Sequence, residues 1–514
     1  MERKCCMWVR LTSLIFVMGL TCQAWSQSLQ SEIDVLVNDY VVNQGFMGSV
    51  LVAEKGEVIF AKGYGLADVE QNTPNTPETR FGIGSITKQF TAMLIMQLAE
   101  KGKLRLDNTI ADFLPDFPEV VGKNITVEML LSHASGLPFP EGIEKYYYTS
   151  TKDEYLQEFL KQLADEGLRF DPGKGYGYSN AGYFILGLII EKVTGKAYEE
   201  VLQEQILKPL DMSHTLCERK GLVAENTAVS YQKPGGQYIT WNEETNSYDP
   251  AICGFGYGST LSTVRDLFKF SLALSSDKLL SEPYMDMYLK MRNVKSRPPV
   301  PNISNNLVEE FFGACGNGFV GEISILEDTD SGRKEFLYWH DGTSKLFKSN
   351  HFHYSGKDQI IIICSNCSFL GEGNEMVLRI YQLLNNKPYE HIRIKHRLMQ
   401  YIEDDIATHA GIPAALDEYQ RLKDDTTNFI VPGKRYMCWI SRRVAELGDY
   451  DNAILTLQTL VSEFPEFWKG YDALAEIHLL RGDTAVAIQY CRKSLDLIPQ
   501  NDKAAKMIEE LSEE

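Results

Sequence analysis

The chain has 514 residues, 44% of them apolar, and a formal net charge of −19. That length predicts more than one domain, each able to bury its own core. The acidic balance excludes nucleic acid as the main partner, since phosphate binding needs a basic footprint, and it disfavours docking on an anionic membrane surface.

The first residues read as an export signal. Arg3, Lys4 and Arg10 give a positive start, Leu11 to Leu20 is a short apolar run, and Ala24-Trp25-Ser26 supplies small residues for cleavage after Ser26. The run is too short for a comfortable membrane span, and no later stretch qualifies, so the mature chain is expected to be exported, periplasmic or secreted, with no transmembrane span. Lipoprotein anchoring at Cys22 ranks lower, because Thr21 before it fits poorly. Losing residues 1–26 removes three basic side chains and one acidic one, which makes the remainder two charges more negative. The cysteines left after the leader are odd in number and scattered, which is no disulfide framework. Cys364-Ser-Asn-Cys367 has redox-motif spacing, yet it follows Gln359-Ile-Ile-Ile-Ile363 and reads as a buried strand end.

In chain order, a helix is predicted over Ser31 to Gln44. A hairpin follows, from Gly48–Glu54 and Glu57–Lys62 around Lys55-Gly56. From Ile86 to about Leu274 the pattern is mostly helical. Strand-like runs return at Gly321–Leu326, Lys334–Trp339, His351–Tyr354 and Gln359–Cys364, and a helix is predicted over Glu375–Leu384. Strands from both ends then form one antiparallel sheet with a helical region inserted between them, an α/β layered domain over 28–387. Past Lys387 the pattern is all helix, and over 395–514 it repeats: Gly448-Asp449 returns as Gly482-Asp483, Ala453-Ile454 as Ala487-Ile488, and Phe464-Pro465 as Ile498-Pro499. This period resembles tetratricopeptide repeats, with an irregular earlier unit at Gly411, Ala415 and Tyr419. Such repeats either pack as helical hairpins or present a concave surface to a protein or peptide partner.

Three short motifs carry chemistry. Ser85-Ile-Thr-Lys88 opens a helical run to about Lys101, and residues three apart share a helix face, so a buried amine of lowered pKa could take the serine proton. Alone the spacing says little, since Ser230/Lys233, Ser275/Lys278 and Ser331/Lys334 share it. Tyr178-Ser179-Asn180 offers a phenol for proton relay and an amide to hold a substrate or the amine. Trp339-His340-Asp341-Gly342-Thr343 ends a strand, where a glycine lets a substrate backbone come close to the strand edge. His351-Phe-His353 reads as structural, and no metal-ligand spacing or cofactor motif is present.

In this order the three motifs resemble the serine β-lactamase and penicillin-binding-protein superfamily, closest to its class C-like branch of D-aminopeptidases, D-alanyl carboxypeptidases and esterases. Supporting runs are Ile125–Pro138, Gly182–Ile190 and Gly256–Leu267. The resemblance implies a β-lactamase-like fold followed by the all-α repeat domain, and no cofactor. It further implies Ser85 as nucleophile, Lys88 and Tyr178 sharing proton transfer, Asn180 orienting substrate, His340 and Gly342 at the strand position where relatives have Lys or His with Gly, and the N–H groups of Ser85 and Thr343 as oxyanion hole. The substrate is then a small molecule or peptide with an ester, amide or peptide bond. β-Lactams rank last, because His340 stands where many β-lactamases carry a charged Lys; Lys345 and Lys348 are the nearby substitutes for that charge, and Leu346 replaces a frequent glycine. The competing reading is a sensor or binding protein that uses the hydrolase fold for a ligand without turnover and the repeats for a partner.

Overall fold

The computed structural model describes residues 28–138 except 43, 152–218, 224–232, 239–240, 255–295, 314–327, 334–367 and 373–387, short pieces between 396 and 445, and 448–512. The leader, Cys22 and the residues Gly411, Ala415 and Tyr419 lie outside the described residues. Among the described residues no helix is long and apolar enough to cross a membrane.

Helix α1 covers residues 28–42 and leads into the hairpin of β1 (Gly48–Glu54) and β2 (Glu57–Tyr64). Its turn residues Lys55 and Gly56 have φ of 54° and 78°, the pair of left-handed conformations whose twist matches the flanking strands. Then come β3 (Phe81–Gly82), α2 (Thr87–Glu100), α3 (Asn180–Thr194), β4 (Leu216–Cys217), β5 (Thr260–Ser262) and α4 (Val264–Ala273). The other strands of the large sheet are β6 (Asn293–Lys295), β7 (Ala314–Asn317), β8 (Glu322–Glu327), β9 (Lys334–Ser344), β10 (Phe347–Tyr354) and β11 (Gln359–Ser365), followed by α5 (Gly373–Leu384); beyond Lys387 the chain is not all helix, since His396–Arg397 and Phe429–Ile430 pair as short parallel strands.

The large sheet has eight strands in the order β6-β7-β8-β9-β10-β11-β1-β2, every neighbouring pair antiparallel. The first and last parts of this domain therefore meet at the β1–β11 pairing, where Leu51 faces Ile362. Every residue of β11 is buried, which accounts for its unbroken Ile360–Ile363 run: both faces are covered, by α4 against β1 and β11 and by α5 against β10 and β11. Cys364 and Cys367 are buried at the end of this strand and form no disulfide, and burial pushes the Cys364 thiol up. One apolar core joins Leu51 and Ile362 of the sheet to Phe90 and Met93 of α2, Ile185 and Leu186 of α3, and Phe270 of α4. A second sheet, β3-β5-β4, lies within the inserted region and carries the chain into α2. Strands β9 and β10 run longer than the apolar pattern predicts, taking in His340–Ser344 and Phe347–Asn350; His340, Ser344, Ser349 and Asn350 are buried there, with hydrogen bonds such as Asn350 Nδ2 donating to Asn374 Oδ1 at 2.7 Å and Ser349 Oγ to Ile83 O at 2.9 Å.

This unit ends at Tyr389, and a second compact unit begins at Glu390. The second holds α6 (Tyr450–Glu463), α7 (Trp468–Arg481), α8 (Thr484–Leu497) and α9 (Asp502–Ser512). The starts of α6 and α8 are 34 residues apart, as are those of α7 and α9. Gly482 at φ 91° stops α7 with N–H bonds from Gly482 to Leu479 and from Asp483 to His478; Gly448 at φ 85° makes the same pair, Gly448 to Ala445 and Asp449 to Val444. That arrangement needs a left-handed residue, so the glycine in the repeating Gly-Asp is a helix stop and the aspartate starts the next helix. Small residues let these helices close up: Ala453 and Ala473 are fully buried, and a Cβ on Gly470 would meet Val461 Cγ1 at 2.8 Å.

Candidate active site

Ser85 does not sit inside the long helix but one turn ahead of it, in a single 3-10 turn, Gly84–Ile86, from which α2 continues. The turn is anchored from behind. β3 pairs with β5, and the Ile83 N–H donates to Thr260 O at 2.9 Å. Gly84 has φ of 50°, and a Cβ there would fall 2.5 Å from Thr343 N and 2.6 Å from Thr343 O. Glycine thus serves twice, for the left-handed backbone and for the contact between the Ser85 turn and β9.

Lys88 is the second residue of α2, and its side chain is 1% exposed. Its Nζ lies 3.0 Å from Ser85 Oγ and donates to Tyr257 O at 2.9 Å. The Nζ atom stands over three rings, 4.9 Å from the centroid of Tyr178, 5.3 Å from Tyr257 and 5.7 Å from Tyr183. Burial holds the amine well below the usual lysine range, only partly offset by the negative charge of Asp341. A neutral amine that donates to the Tyr257 carbonyl keeps a lone pair for the proton on Ser85.

Tyr178 belongs to a segment without regular structure and is 42% exposed, whereas its neighbour Ser179 is buried and caps α3, accepting the Gly182 N–H at 3.1 Å. Asn180 is the first residue of α3; its Oδ1 is buried and finds no hydrogen-bond partner among the described residues. An acceptor left open inside a site suits a donor on a ligand, because such an atom is costly to bury unpaired.

The third motif lies on β9. Ser344 pairs with Phe347 across the turn, and ladder bonds alternate, so Gly342 and Ser344 bond to β10 while Thr343 turns its N–H the other way. Pairing with β8 stops at Trp339, which leaves the Thr343 N–H on the edge of β9 beyond β8, beside the Ser85 turn. Gly342 differs from the sequence expectation. The space for its Cβ is filled by Ile83 O at 1.9 Å and Ser349 Oγ at 2.6 Å, so it admits the segment that leads into Ser85 rather than a substrate backbone. Ser349 Oγ donates to that same Ile83 carbonyl at 2.9 Å.

His340 is buried, its ring centroid 6.4 Å from that of Tyr178, and its Nδ1–H donates to Asp341 O at 2.6 Å. Burial lowers its pKa to about 4, with the Lys88 charge acting in the same direction and Asp341 opposing, so the ring is neutral at pH 7. The two lysines that could replace the missing charge are engaged: Lys345 pairs with Glu218 at 3.2 Å with both side chains about one-tenth exposed, and Lys348 donates to Thr343 Oγ1 at 2.9 Å. Leu346 occupies the β9–β10 turn. His351 and His353 are both buried; His351 bonds Gln89 Oε1 at 2.8 Å and Ser271 Oγ, and burial lowers its pKa to about 3.

A test follows from these two rings. Folded, His340 and His351 stay neutral, while the unfolded chain takes up protons near pH 6.5. Stability is therefore complete above that value and falls as pH drops, each histidine removing up to about 1.4 kcal/mol per pH unit. Between pH 6.5 and 5, before most carboxylates titrate, the urea midpoint should fall steeply; an unchanged midpoint would show that these rings are not held neutral.

Sequence reasoning missed His133, Glu218 and the carbonyl of Tyr257. The first and third lie within runs quoted for the resemblance, but their parts depend on backbone geometry that spacing does not encode; Glu218 carries no signal of its own.

A family model described as Beta-lactamase matches residues 36–380. The chain belongs to the beta-lactamase family. In this beta-lactamase-family chain the match takes in all three motifs and most of the large sheet. Protein flp of Staphylococcus aureus (strain MW2) is 31% identical over 225 residues, 43% of this chain; the chain spans about half, 45%, of that relative's length. PbpX of Bacillus subtilis (strain 168), a proposed penicillin-binding protein, is 29% identical over 353 residues, covering 68% of this chain and 78% of PbpX. Among solved structures, D-amino acid amidase of Ochrobactrum anthropi SV3, complexed with L-phenylalanine amide, superposes with a TM-score of 0.55 at 26% identity, over 70% of this chain and 99% of that one.

Proposed function

We propose that this beta-lactamase-family protein is an exported acyl-serine hydrolase that cleaves ester or amide bonds, with D-amino acid amides and esters as the first substrate class. One observation carries the reading: a fully buried lysine amine of lowered pKa, 3.0 Å from the hydroxyl of Ser85. Ser85 Oγ attacks the carbonyl as its proton passes to Lys88; Tyr178 delivers a proton to the leaving group and takes one back from Lys88. The N–H groups of Ser85 and Thr343 hold the oxyanion. Asn180 Oδ1 accepts a substrate N–H. Water then releases the acyl group and restores Ser85.

The neutral His340 and the Glu218-paired Lys345 favour substrates without a carboxylate at this edge, which keeps β-lactams last. The likeness to D-amino acid amidase supports the same choice. We assign the C-terminal helices to tetratricopeptide-like repeats, on their shared 34-residue offset and twin glycine stops, with a peptide or protein as the partner such repeats would take.

The test is multiple-turnover hydrolysis of D-phenylalanine amide, p-nitrophenyl acetate and a penicillin by the mature chain and by Ser85→Ala. Steady release from the amide or ester, abolished in Ser85→Ala, is expected. A single stoichiometric burst with no further release would favour the sensor reading instead, and wild-type turnover by the variant would remove Ser85 as nucleophile.

A further inference from the structure

Tyr178 is asked to move protons, yet it is exposed and sits in a stretch with neither helix nor strand. Something must fix it, since a displacement of about 1 Å at a catalytic group costs on the order of 10²-fold in rate. His133 stands against it. This residue lies within the Ile125–Pro138 run, to which the catalytic reading gives no task.

His133 is buried and has φ of 57°, a left-handed backbone that residues with a side chain rarely adopt. In that conformation its carbonyl and its ring reach the same loop. His133 O accepts the Gly177 N–H at 2.9 Å, and His133 Nδ1 accepts the Ser179 N–H at 3.1 Å. The two bonds grip the residues on either side of Tyr178. The imidazole also lies against the tyrosine itself, with centroids 4.6 Å apart and planes at 32°, and its ring centroid is 5.1 Å from that of Tyr183. Because Nδ1 accepts, the ring proton sits on Nε2. The same turn holds the rest of the loop, with Gly173 N–H donating to Ala134 O and Arg169 N–H to Gly136 O, both at 2.8 Å.

We infer that His133 is the positioning residue for Tyr178, fixing the phenol over Lys88 through both flanking amides and a ring contact. The inference rests on the acyl-serine reading above. His133 does not touch the reacting atoms; it acts through Tyr178.

Two substitutions separate this from a merely structural role. His133→Asn keeps a side-chain acceptor for Ser179 and tolerates the left-handed backbone, but loses the ring. His133→Phe keeps a ring and loses the acceptor. Both are measured in the full chain, in the wild-type and Tyr178→Phe backgrounds, by single-turnover acylation with D-phenylalanine amide, whose amine leaving group needs the proton that Tyr178 delivers. KM and melting temperature are recorded alongside. The expected result is a fall in acylation rate of roughly 10- to 100-fold in the wild-type background, KM little changed, and a fall of less than about twofold once Tyr178 is Phe, because the two act as one unit. Equal fold losses in both backgrounds, or wild-type acylation by both His133 variants, overturn the inference. Wild-type acylation by Tyr178→Phe alone is a separate result, and it strikes the role of Tyr178 itself.

Discussion

Lys88→Met should lower kcat/KM for ester and amide hydrolysis by about 10²- to 10⁴-fold while leaving a folded protein, because under the proposed mechanism it removes the base and little else. Methionine has similar length and no need of solvation, so it fills the space between Tyr178, Tyr183 and Tyr257 without burying a polar atom. The losses are the hydrogen bonds to Tyr257 O and Ser85 Oγ, together about 1–3 kcal/mol, offset by relief from burying an amine. Lys88→Arg should be no better than Met: guanidinium stays charged at any assay pH and cannot accept a proton. The pH profile reads the same chemistry. With the amine held well below the usual lysine range, wild-type kcat/KM should rise as pH passes upward through its lowered pKa, and that limb should vanish in Lys88→Met. Stopped-flow acylation from pH 5 to 10, with circular dichroism to verify folding, provides the comparison. An unchanged limb in the variant would assign the titrating group elsewhere.

Gly342→Ala is expected to be the most damaging single methyl in the site. The new Cβ would land 1.9 Å from Ile83 O, a backbone atom that cannot rotate away, and 2.6 Å from Ser349 Oγ, which donates to that same carbonyl. β9 must then move off the segment that carries Ser85. Thr343 N is 2.5 Å from the Cβ position of Gly84, so the edge bearing the Thr343 N–H moves with it. We expect about 1–3 kcal/mol loss of stability, typical of overpacking, and on the order of 10²-fold loss of kcat/KM from displacement of the proposed oxyanion edge. Denaturant unfolding and steady-state kinetics on one preparation measure both. Normal activity in a stable Gly342→Ala protein would mean that β9 and the Ser85 turn need not be this close.

Much of this architecture can be read from residue pattern. Lys55-Gly56 marks its hairpin because a two-residue turn wants left-handed conformations at both positions, and Gln359–Ile363 marks a central strand because only a strand covered on both faces tolerates four isoleucines in a row. The helix stops at Gly448 and Gly482 are legible for the same local reason. The pattern fails where burial is bought by distant hydrogen bonds. His340 to Ser344 and Phe347 to Asn350 are too polar to predict as strand, and they extend β9 and β10 because Ile83 and Asn374 supply partners from far along the chain. Within the site, the Ser85–Lys88 relation is local and its spacing reveals it. Gly342 was read as room for substrate and instead makes room for Ile83, since spacing does not say what fills a glycine's missing side chain. His133 is invisible for a similar reason: what matters is a backbone angle and a loop more than forty residues away in sequence, at Ser179.

Covalent labelling decides whether Ser85 is an activated nucleophile. The mature full chain is treated with a fluorophosphonate, its intact mass is measured, and the adduct is located by peptide mapping, with Ser85→Ala and Lys88→Met alongside. One adduct per chain is expected, on Ser85, absent from Ser85→Ala and much slower to form in Lys88→Met. An adduct on another residue, or none on a folded sample, would contradict it.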